Sequence, residues 1–282
     1  MPVAWGAGTS NTGSSPQLGQ AMVPAGLGNV MQVAAGYYHS LALKSNGTAA
    51  AWGAGTTNTG ASPNIGQAIV PAGLSNAVAV AAGGYHSLAL KSDGAVVAWG
   101  AGTTNSGVSP YYGQAIDPNG LSNAVAVAAG GYHSLALKSD GTVLAWGAGT
   151  VNTGGNPYYG QAMVPDGLGS VVSVAAGGYH SVALKSDGTV VAWGDNTYGQ
   201  TNTPAALSNV VAVAAGRYDT LALKADGTMV AWGDNAYGQT NLPVGLANVV
   251  GMAGGGFHLV ALQGDGRPAI TCLLYTSDAA DE

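Results

Sequence analysis

The chain has very few of the residues on which catalysis and charged interfaces depend. Its 282 residues include one cysteine, one glutamate and one phenylalanine, and charged residues make up 7% of the total. A single cysteine, Cys272, cannot form an intramolecular disulfide or a multi-cysteine metal site. Because the only glutamate is the last residue, Glu282, carboxylate pairs for hydrolytic or lyase chemistry are scarce, and we expect no enzyme activity and no cofactor.

Long apolar runs and basic clusters are also missing. No stretch of about 20 apolar residues is present, so the sequence predicts no membrane span. The opening MPVAWG lacks the basic start and apolar run of a signal peptide. Because Met1 stands inside a repeat unit, we expect upstream sequence to be missing. The net charge of −6, with lysines spread evenly along the chain, indicates no nucleic-acid interface.

The last eleven residues differ abruptly from the rest of the chain. Residues 272–282 read CLLYTSDAADE, which matches the translation of a sequencing-library adapter. We therefore expect this tail to be non-native and the reading frame to be truncated there. Three of the 13 acidic residues lie in it, so the net charge is −3 without the tail. We assign residues 1–271 to a single domain.

Glycine is abundant, with 47 residues, and a hydrophobic content of 47% argues against disorder, so repeats are expected. Every tryptophan stands in Ala-Trp-Gly, and successive tryptophans are separated by 47, 47, 47, 47 and 39 residues. These residues are Trp5, Trp52, Trp99, Trp146, Trp193 and Trp232. A second repeated position holds His39, His86, His133, His180 and His258, with Asp219 in the remaining unit.

Each unit has the periodicity of short β-strands. Residues 77–82 (AVAVAA) and 86–92 (HSLALKS) alternate along the chain, and residues 95–100 (AVVAWG) form a returning strand. Asp93-Gly94 between the last two predicts a two-residue hairpin turn with positive φ at both residues. Residues 114–118 (QAIDP) predict a short fourth strand, whose proline suits a sheet edge.

Four short antiparallel strands in every tandem unit are typical of a β-propeller blade. A parallel β-helix is disfavoured, because its coils are shorter and lack a tight hairpin in every unit. The sixth unit lacks a third strand after Gly266, and the VAWG of residues 3–6 can supply it. The predicted fold is therefore an all-β propeller with six four-stranded blades, closed by pairing of N- and C-terminal strands.

Residues 174–194 (VAAGGYHSVALKSDGTVVAWG) and 194–200 (GDNTYGQ) resemble the repeats of the RCC1-like (regulator of chromosome condensation) family. The resemblance extends from Pro2 to about Ile270 and implies a propeller. The family includes the exchange factor of the Ran GTPase, plant UV-B photoreceptors, ubiquitin-ligase modules and a secreted bacterial β-lactamase inhibitor. Its fold therefore does not define one function.

Two of these activities find little support in the residues. Residues 83–87 (GGYHS) lack the tryptophan and arginine of the photoreceptor motif, which disfavours that function. The chain has only Arg217 and Arg267, so no residue of an exchange surface can be transferred to it. The short units and SDGT turns are similar in style to bacterial members, including the secreted inhibitor.

The repeated residues have structural interpretations. Each histidine lies in a different unit at a strand start, so we expect local hydrogen bonds to backbone groups rather than a metal site. The tryptophans are expected to pack between neighbouring blades. Asp93 and its equivalents are expected to form turns. We therefore predict no metal.

The loops between the third strand and the recurring Gly-Gln differ in length. The first four contain 13 residues and the last two contain five, which makes one face of the disc asymmetric. Tyrosine, asparagine and threonine in the long loops are typical of protein recognition. The candidate protein-binding residues are Tyr111, Tyr112, Tyr158, Tyr159, Asn58, Asn105 and Asn152. Tolerated insertions are the alternative interpretation of these loops.

Two groups of loop residues have different expected roles. Tyr111 and Tyr158 have no counterpart that anchors a loop, and we expect them to be exposed. The residues directly before Gly-Gln are expected to be half-buried anchors: Leu18, Ile65, Tyr112, Tyr159, Tyr198 and Tyr237.

The sequence thus predicts a noncatalytic recognition or scaffold propeller. We expect a monomeric module of a larger bacterial protein that is secreted or on the cell surface. Its partner would be an unidentified protein, or a glycan, bound on the long-loop face. The alternative is a guanine-nucleotide-exchange-like regulator of a small GTPase.

Overall fold

The computed structural model describes residues 2–4, 9–14, 17–118 and 121–264. Within those ranges the chain forms β-strands and connecting turns and contains no helix, which confirms the all-β prediction. Trp5, the chain beyond Gly264 and the tail from Cys272 lie outside the described residues.

The repeating element is a three-stranded antiparallel sheet in which consecutive strands are hydrogen-bonded neighbours. Five such sheets are β3 (Val30–Ala35), β4 (His39–Lys44) and β5 (Ala49–Gly53); β8 (Ala77–Ala82), β9 (His86–Lys91) and β10 (Val96–Gly100); β13 (Ala124–Ala129), β14 (His133–Lys138) and β15 (Val143–Gly147); β18 (Val171–Ala176), β19 (His180–Lys185) and β20 (Val190–Gly194); β21 (Val210–Ala215), β22 (Asp219–Lys224) and β23 (Met229–Gly233). The next unit contributes β24 (Val249–Gly254) and β25 (Leu259–Gln263).

A two-stranded hairpin occupies each of the four long loops. These hairpins are β1 (Asn11–Ser14) with β2 (Gln17–Leu18), β6 (Asn58–Ala61) with β7 (Asn64–Ile65), β11 (Asn105–Val108) with β12 (Tyr111–Tyr112), and β16 (Asn152–Gly155) with β17 (Tyr158–Tyr159). They form sheets of their own and do not extend the blades.

The predicted fourth strand is wrong. Residues 114–118 form a turn and irregular chain, so this blade, like the other four three-stranded sheets, has no fourth strand among the described residues. The carbonyl oxygen of Gln114 instead accepts bonds from two side chains, Ser134 Oγ at 2.9 Å and Trp146 Nε1 at 2.9 Å. The edge N–H of Ala98 donates to Asp117 Oδ1 at 2.7 Å. The backbone is thus held by side chains, and Pro118 has no N–H to give to a ladder.

The hairpin turn also differs from its predicted type. The N–H of Gly94 donates to Lys91 O, and Gly94 alone takes a positive φ of 79°. The turn therefore has Ser92 and Asp93 at its centre followed by a left-handed glycine, which is the three-residue hairpin loop. The Asp93 carboxylate accepts the Ala95 N–H at 3.0 Å, which confirms that the aspartate is a turn former.

The core lies between neighbouring sheets. Leu88 and Leu135, on the middle strands of two successive blades, have no exposed surface, and Val80 is equally buried. Trp99 packs with Leu41 and Ala34 of the preceding blade, which confirms the predicted packing of tryptophan between blades. Replacing a buried leucine such as Leu88 by alanine removes about 2–5 kcal/mol in sites of this kind.

The first strand of each of the six described blade units carries an irregularity that exposes one apolar side chain. In β8, Ala77 pairs with Lys91 and Ala79 with Leu90, so Val78 is an extra residue without a partner in the register. Such a bulge turns the inserted side chain away from the packed face. The exposed residues at this position are Met31, Val78, Val125, Val172, Val211 and Val250.

The two terminal sheets are less covered than the middle ones. Val33 of β3 is 43% exposed, whereas the equivalent Val80 is fully buried. Leu262 of β25 is 64% exposed, whereas the equivalent Leu90 is 3% exposed. The predicted closing strand includes residues 5 and 6, which lie outside the described ranges, so six blades and ring closure stay predictions.

Candidate interaction face

A buried glutamine fixes the shape of each well-described long loop. Gln67 has no exposed surface; its Oε1 accepts the Ile65 N–H at 3.0 Å, and its Nε2 donates to the Pro63 carbonyl. Gln114 and Gln161 make the same two bonds in the next two loops. The recurring Gly-Gln of the sequence is therefore a loop clamp, and the three hairpins share one conformation.

Tyr112 and Tyr159 anchor their loops on the blades, as predicted. The Tyr112 ring packs edge-on against Tyr132 at 5.5 Å, and Tyr159 packs against Tyr179 in the same way at 5.7 Å. Leu18 and Ile65 are fully buried anchors. Tyr198 of the first short loop is 49% exposed and its ring lies 5.1 Å from that of Tyr218, as predicted. Tyr237 of the second short loop is 73% exposed, and the prediction of half-burial is wrong there.

Tyr111 and Tyr158 are half-buried, and the prediction that they are exposed is wrong. The Tyr111 hydroxyl donates to the Gly60 carbonyl of the preceding loop at 2.9 Å. Tyr158 packs edge-on against Tyr112 at 5.7 Å, and its hydroxyl lies beside Gly107 of the preceding loop. Each of these tyrosines thus connects its own hairpin to the one before it. The second, third and fourth long loops form one continuous rim.

The three candidate asparagines stand at the start of the hairpin tips and are exposed. Each side-chain oxygen accepts the backbone N–H two residues further on, a local bond that shapes the tip. The pairs are Asn58 with Gly60 at 3.0 Å, Asn105 with Gly107 at 3.1 Å and Asn152 with Gly154 at 2.9 Å. The asparagines are therefore rim residues whose carbonyl oxygen is already used.

The histidines connect neighbouring blades. His86 Nε2 lies 2.8 Å from Ser134 Oγ of the next blade, and Ser134 Oγ donates to Gln114 O at 2.9 Å. Trp146 Nε1 donates to the same carbonyl. The prediction of local bonds to backbone groups is thus wrong. The same pair recurs as His39 with Ser87, His133 with Ser181, and His180 with Thr220, at 2.9, 2.9 and 3.0 Å.

These contacts define the protonation state of the histidines. Because the serine proton goes to the glutamine carbonyl, the histidine Nε2 carries its own proton and Nδ1 does not. Burial lowers the pKa of His39, His86 and His133 to about 3 and that of His180 to about 4. The four side chains have no exposed surface and are neutral in the folded protein at ordinary pH. His258 of the last described unit is exposed.

Asp219 occupies the histidine position of the fifth sheet and is 1% exposed. The unit that follows has Leu259 where the others have serine or threonine, so no hydroxyl faces Asp219. Neither carboxylate oxygen has a hydrogen bond of normal geometry. Burial, together with the charge of Asp234, raises the pKa of Asp219 to about 7.

A ladder of tyrosines runs around the centre of the same face. It comprises Tyr38, Tyr85, Tyr132, Tyr179 and Tyr218, each in the turn between the first and second strands. Successive ring centroids are 5.5, 5.5, 5.7 and 5.9 Å apart. Most of these rings are half-buried. Sequence reasoning missed the ladder, although the recurring Tyr-His dipeptide was its signal.

Two large side chains stand where other units have a second glycine. Tyr37 and Arg217 take the place of Gly84, Gly131 and Gly178. The Tyr37 hydroxyl is buried close to Gly131 and Gly178, while the ring is partly exposed. The Arg217 guanidinium lies 5.8 Å from the Tyr37 ring, so a cation–π pair crosses the centre of the face.

Backbone bonds connect the blades beneath this pair. The N–H of Gly84 donates to Gly130 O at 3.1 Å, and the N–H of Gly131 donates to Gly177 O at 3.2 Å. A side chain on Gly84 would meet the Gly131 carbonyl at 2.7 Å. At Gly84 and Gly131 the absent side chain leaves room for the carbonyl of the next blade.

Formal charges are paired at the turns. Lys91 and Asp93 are 3.0 Å apart, and equivalent pairs recur in three further units. In the described part of the chain no three His, Cys, Asp or Glu side chains come together as a metal site would require. No helix within those residues has the length and apolar character of a membrane span.

The chain is similar to known proteins in its repeats. The profile of the regulator of chromosome condensation (RCC1) repeat matches residues 30–58, 77–106, 124–161, 171–200 and 210–239. Among curated protein sequences no match is found.

Several solved structures are similar to this chain. Prp20p from Saccharomyces cerevisiae is 26% identical over 84% of this chain and 70% of its own, with a TM-score of 0.64. Human WBSCR16 is 22% identical over 83% of this chain and 72% of its own, with a TM-score of 0.62. The CR4 receptor-kinase ectodomain of Physcomitrella patens is 20% identical over 85% and 62%, with a TM-score of 0.63.

Proposed function

The chain belongs to the RCC1-repeat family, and we propose that it is a noncatalytic recognition propeller for a protein partner. The proposed binding surface is the interaction face, which we define as the tyrosine ladder, Tyr37, Arg217 and the rim of long-loop hairpins. Family members share a fold and differ in partners, so the proposal is based on the face.

The observation that carries the proposal is that aromatic rings and an arginine come together on one face. Tyrosine and arginine are enriched in the energetically dominant centres of protein interfaces. Here the tyrosines are held by neighbouring rings, so little side-chain entropy remains to be lost on binding. The Arg217 guanidinium, stacked 5.2 Å from the Tyr218 ring, is likewise oriented in advance.

The rim has the complementary composition. Its hairpin tips are exposed and built from asparagine, threonine and glycine, with Val108 66% and Val151 55% exposed. A polar rim around an aromatic centre is the usual anatomy of a protein interface. The Tyr111 bond to Gly60 and the contact between Tyr158 and Tyr112 make the rim one rigid body.

The test compares two double variants in pull-downs from the lysate and medium of the source organism. Tyr111→Ala with Tyr158→Ala removes the contacts between hairpins and should lower recovery of the specific partner. Val125→Ala with Val172→Ala, on exposed side chains at the opposite end of the strands, should leave recovery unchanged. Equal recovery with both double variants would show that the interaction face is not the binding surface.

A second candidate function is regulation of a small GTPase. Prp20p, which is 26% identical to this chain, has been studied for its binding to Gsp1p and histones. If the chain has this function, it should accelerate the release of labelled nucleotide from a candidate GTPase. No acceleration, together with partner capture that depends on Tyr111 and Tyr158, would favour the recognition propeller.

We further propose that the chain is a monomeric module of a larger secreted or surface bacterial protein. The proposal is supported by the short units and SDGT turns, which are similar to those of secreted bacterial members of the family. The complete gene tests this directly: a signal peptide and flanking domains would support it, and a gene without either would refute it.

A further inference from the structure

A surface cavity of about 250 Å³, widely open to solvent, lies between the third long loop and the blade that follows it. Asn105 and Tyr112 line it from the third long loop, Trp146 lines it from the blade, and Thr150 lines it from the start of the fourth long loop. Asp117 lies on the segment between them. The cavity thus combines two aromatic rings with an amide, a hydroxyl and a carboxylate.

Asp117 distinguishes this unit from its neighbours. The other long-loop units have Val23, Val70 and Val164 at the same position, and each of these valines packs against a core cluster. Asp117 is instead exposed, and its Oδ1 accepts the Ala98 N–H. The unit therefore has a carboxylate at the cavity where a buried apolar side chain would suit stability better.

Trp146, which lines the same cavity as Asp117, is more exposed than its equivalents. The other described tryptophans are between 5% and 9% exposed, whereas Trp146 is half-buried and borders the cavity. Its Nε1–H donates a hydrogen bond to the Gln114 carbonyl at 2.9 Å. What Trp146 offers to a ligand is therefore its ring rather than its hydrogen-bond donor.

We propose that this cavity binds one ring of a neutral saccharide. A sugar ring has an apolar C–H face, which suits the Trp146 ring, and hydroxyl groups, which suit polar side chains at the rim. The Asp117 carboxylate accepts hydrogen bonds from hydroxyls, Asn105 contributes an amide, and Thr150 contributes a hydroxyl that both donates and accepts.

The lining discriminates against charged ligands. An anionic sugar such as a uronic acid would bring its carboxylate close to that of Asp117, which is unfavourable. A quaternary ammonium ion would use the carboxylate and the aromatic ring but not the amide or hydroxyl groups of Asn105 and Thr150. The mixed polar lining therefore favours a neutral polyhydroxyl ligand over a cation.

Saturation-transfer NMR and calorimetry on the full chain test the proposal, with methyl glucoside, methyl galactoside, methyl mannoside, glucuronic acid and choline as probes. A Kd on the order of 1 mM is expected for at least one neutral glycoside, as suits a ligand of this size. Glucuronic acid and choline should not bind at this site.

Asp117→Val is the decisive variant, because it introduces the valine of the neighbouring units and should fold. It should weaken glycoside binding about tenfold or more. Asp117→Asn retains an acceptor for the Ala98 N–H and should weaken binding less, which provides a second measurement if the valine variant does not fold. Asp166→Asn removes an exposed carboxylate from the next unit and should leave binding unchanged.

Three results would overturn the proposal: no neutral glycoside binding by the unsubstituted chain, binding that Asp117→Val leaves intact, or choline binding that depends on Asp117. None of these variants alters Tyr111 or Tyr158. The outcome is therefore independent of the pull-down that tests protein recognition.

Discussion

The four buried histidines should make the protein acid-labile well above the pH at which its carboxylates titrate. In the folded protein their pKa values are about 3 to 4, because burial disfavours the charged ring. In the unfolded chain a histidine takes up a proton near pH 6.5. Unfolding therefore takes up protons below pH 6.5, and the free energy of unfolding falls as the pH is lowered through that value.

The magnitude follows from the unfolded pKa alone, provided that the folded value stays well below 5. At pH 5 the unfolded state gains about 2 kcal/mol per histidine relative to pH 8, or about 8 kcal/mol for His39, His86, His133 and His180 together. Asp219 acts in the opposite direction. Because its pKa in the folded protein is about 7, the ionised carboxylate destabilises the folded state at pH 8. Lowering the pH to 5 protonates it and raises the free energy of unfolding by about 2–3 kcal/mol.

The net loss of stability between pH 8 and pH 5 is therefore about 5–6 kcal/mol, a large share of the 5–15 kcal/mol that is usual for a domain. Urea unfolding followed by tryptophan fluorescence at half-unit pH intervals measures it. His133→Gln, which keeps an N–H donor for Ser181, should reduce the slope by about one proton, or about 1.4 kcal/mol per pH unit. His258→Gln, at an exposed position, is the matched control and should not change the slope.

A flat profile between pH 8 and pH 5 would refute the reasoning. The same conclusion would follow if His133→Gln and His258→Gln changed the slope equally, because the effect would then not depend on burial.

Two further predictions concern single positions in the blades. Asp219→Asn should raise the free energy of unfolding by about 2–4 kcal/mol at pH 8 and by less at pH 5, since it removes a buried carboxylate that has no well-formed bond; equal gains at both pH values in urea melts would contradict this. Gly84→Ala should destabilise the protein by about 1–3 kcal/mol or more, because the added Cβ would meet the Gly131 carbonyl at 2.7 Å. Gly155→Ala has open space around it and is the matched control, so a similar loss of melting temperature in both variants would argue against the close packing of blades.

The repeat period and the alternation of residues such as those in 77–82 and 86–92 were sufficient to predict the blade, because both express burial on one sheet face. The fourth strand could not be predicted correctly. Gln114 reads as a strand residue in sequence, but its carbonyl is taken by Ser134 and Trp146, which are distant in the chain. Bonds between units decide such a segment, and a single unit does not contain them.

The candidate site was only partly predictable for the same reason. Loop length and composition indicated the rim, but the contacts of Tyr111 and Tyr158 with preceding loops depend on the spacing between neighbouring blades. The tyrosine ladder was not predicted, because one tyrosine per unit does not show in the sequence that five such rings lie side by side. His86 was recognised as a structural residue, yet its partner, Ser134, belongs to the next blade.

The relay from histidine to hydroxyl to glutamine carbonyl has a consequence for how such a chain can change in length. Each of the first four three-stranded units presents a histidine on one side and a hydroxyl on the other, so an additional unit of this kind inserted between two of them would find both of its contacts ready. Duplication or deletion of whole 47-residue cassettes therefore needs no compensating substitution. The boundary between Asp219 and Leu259 is different, because neither residue fits the relay, and an exchange of cassettes across that boundary would leave a buried histidine or hydroxyl without its complement.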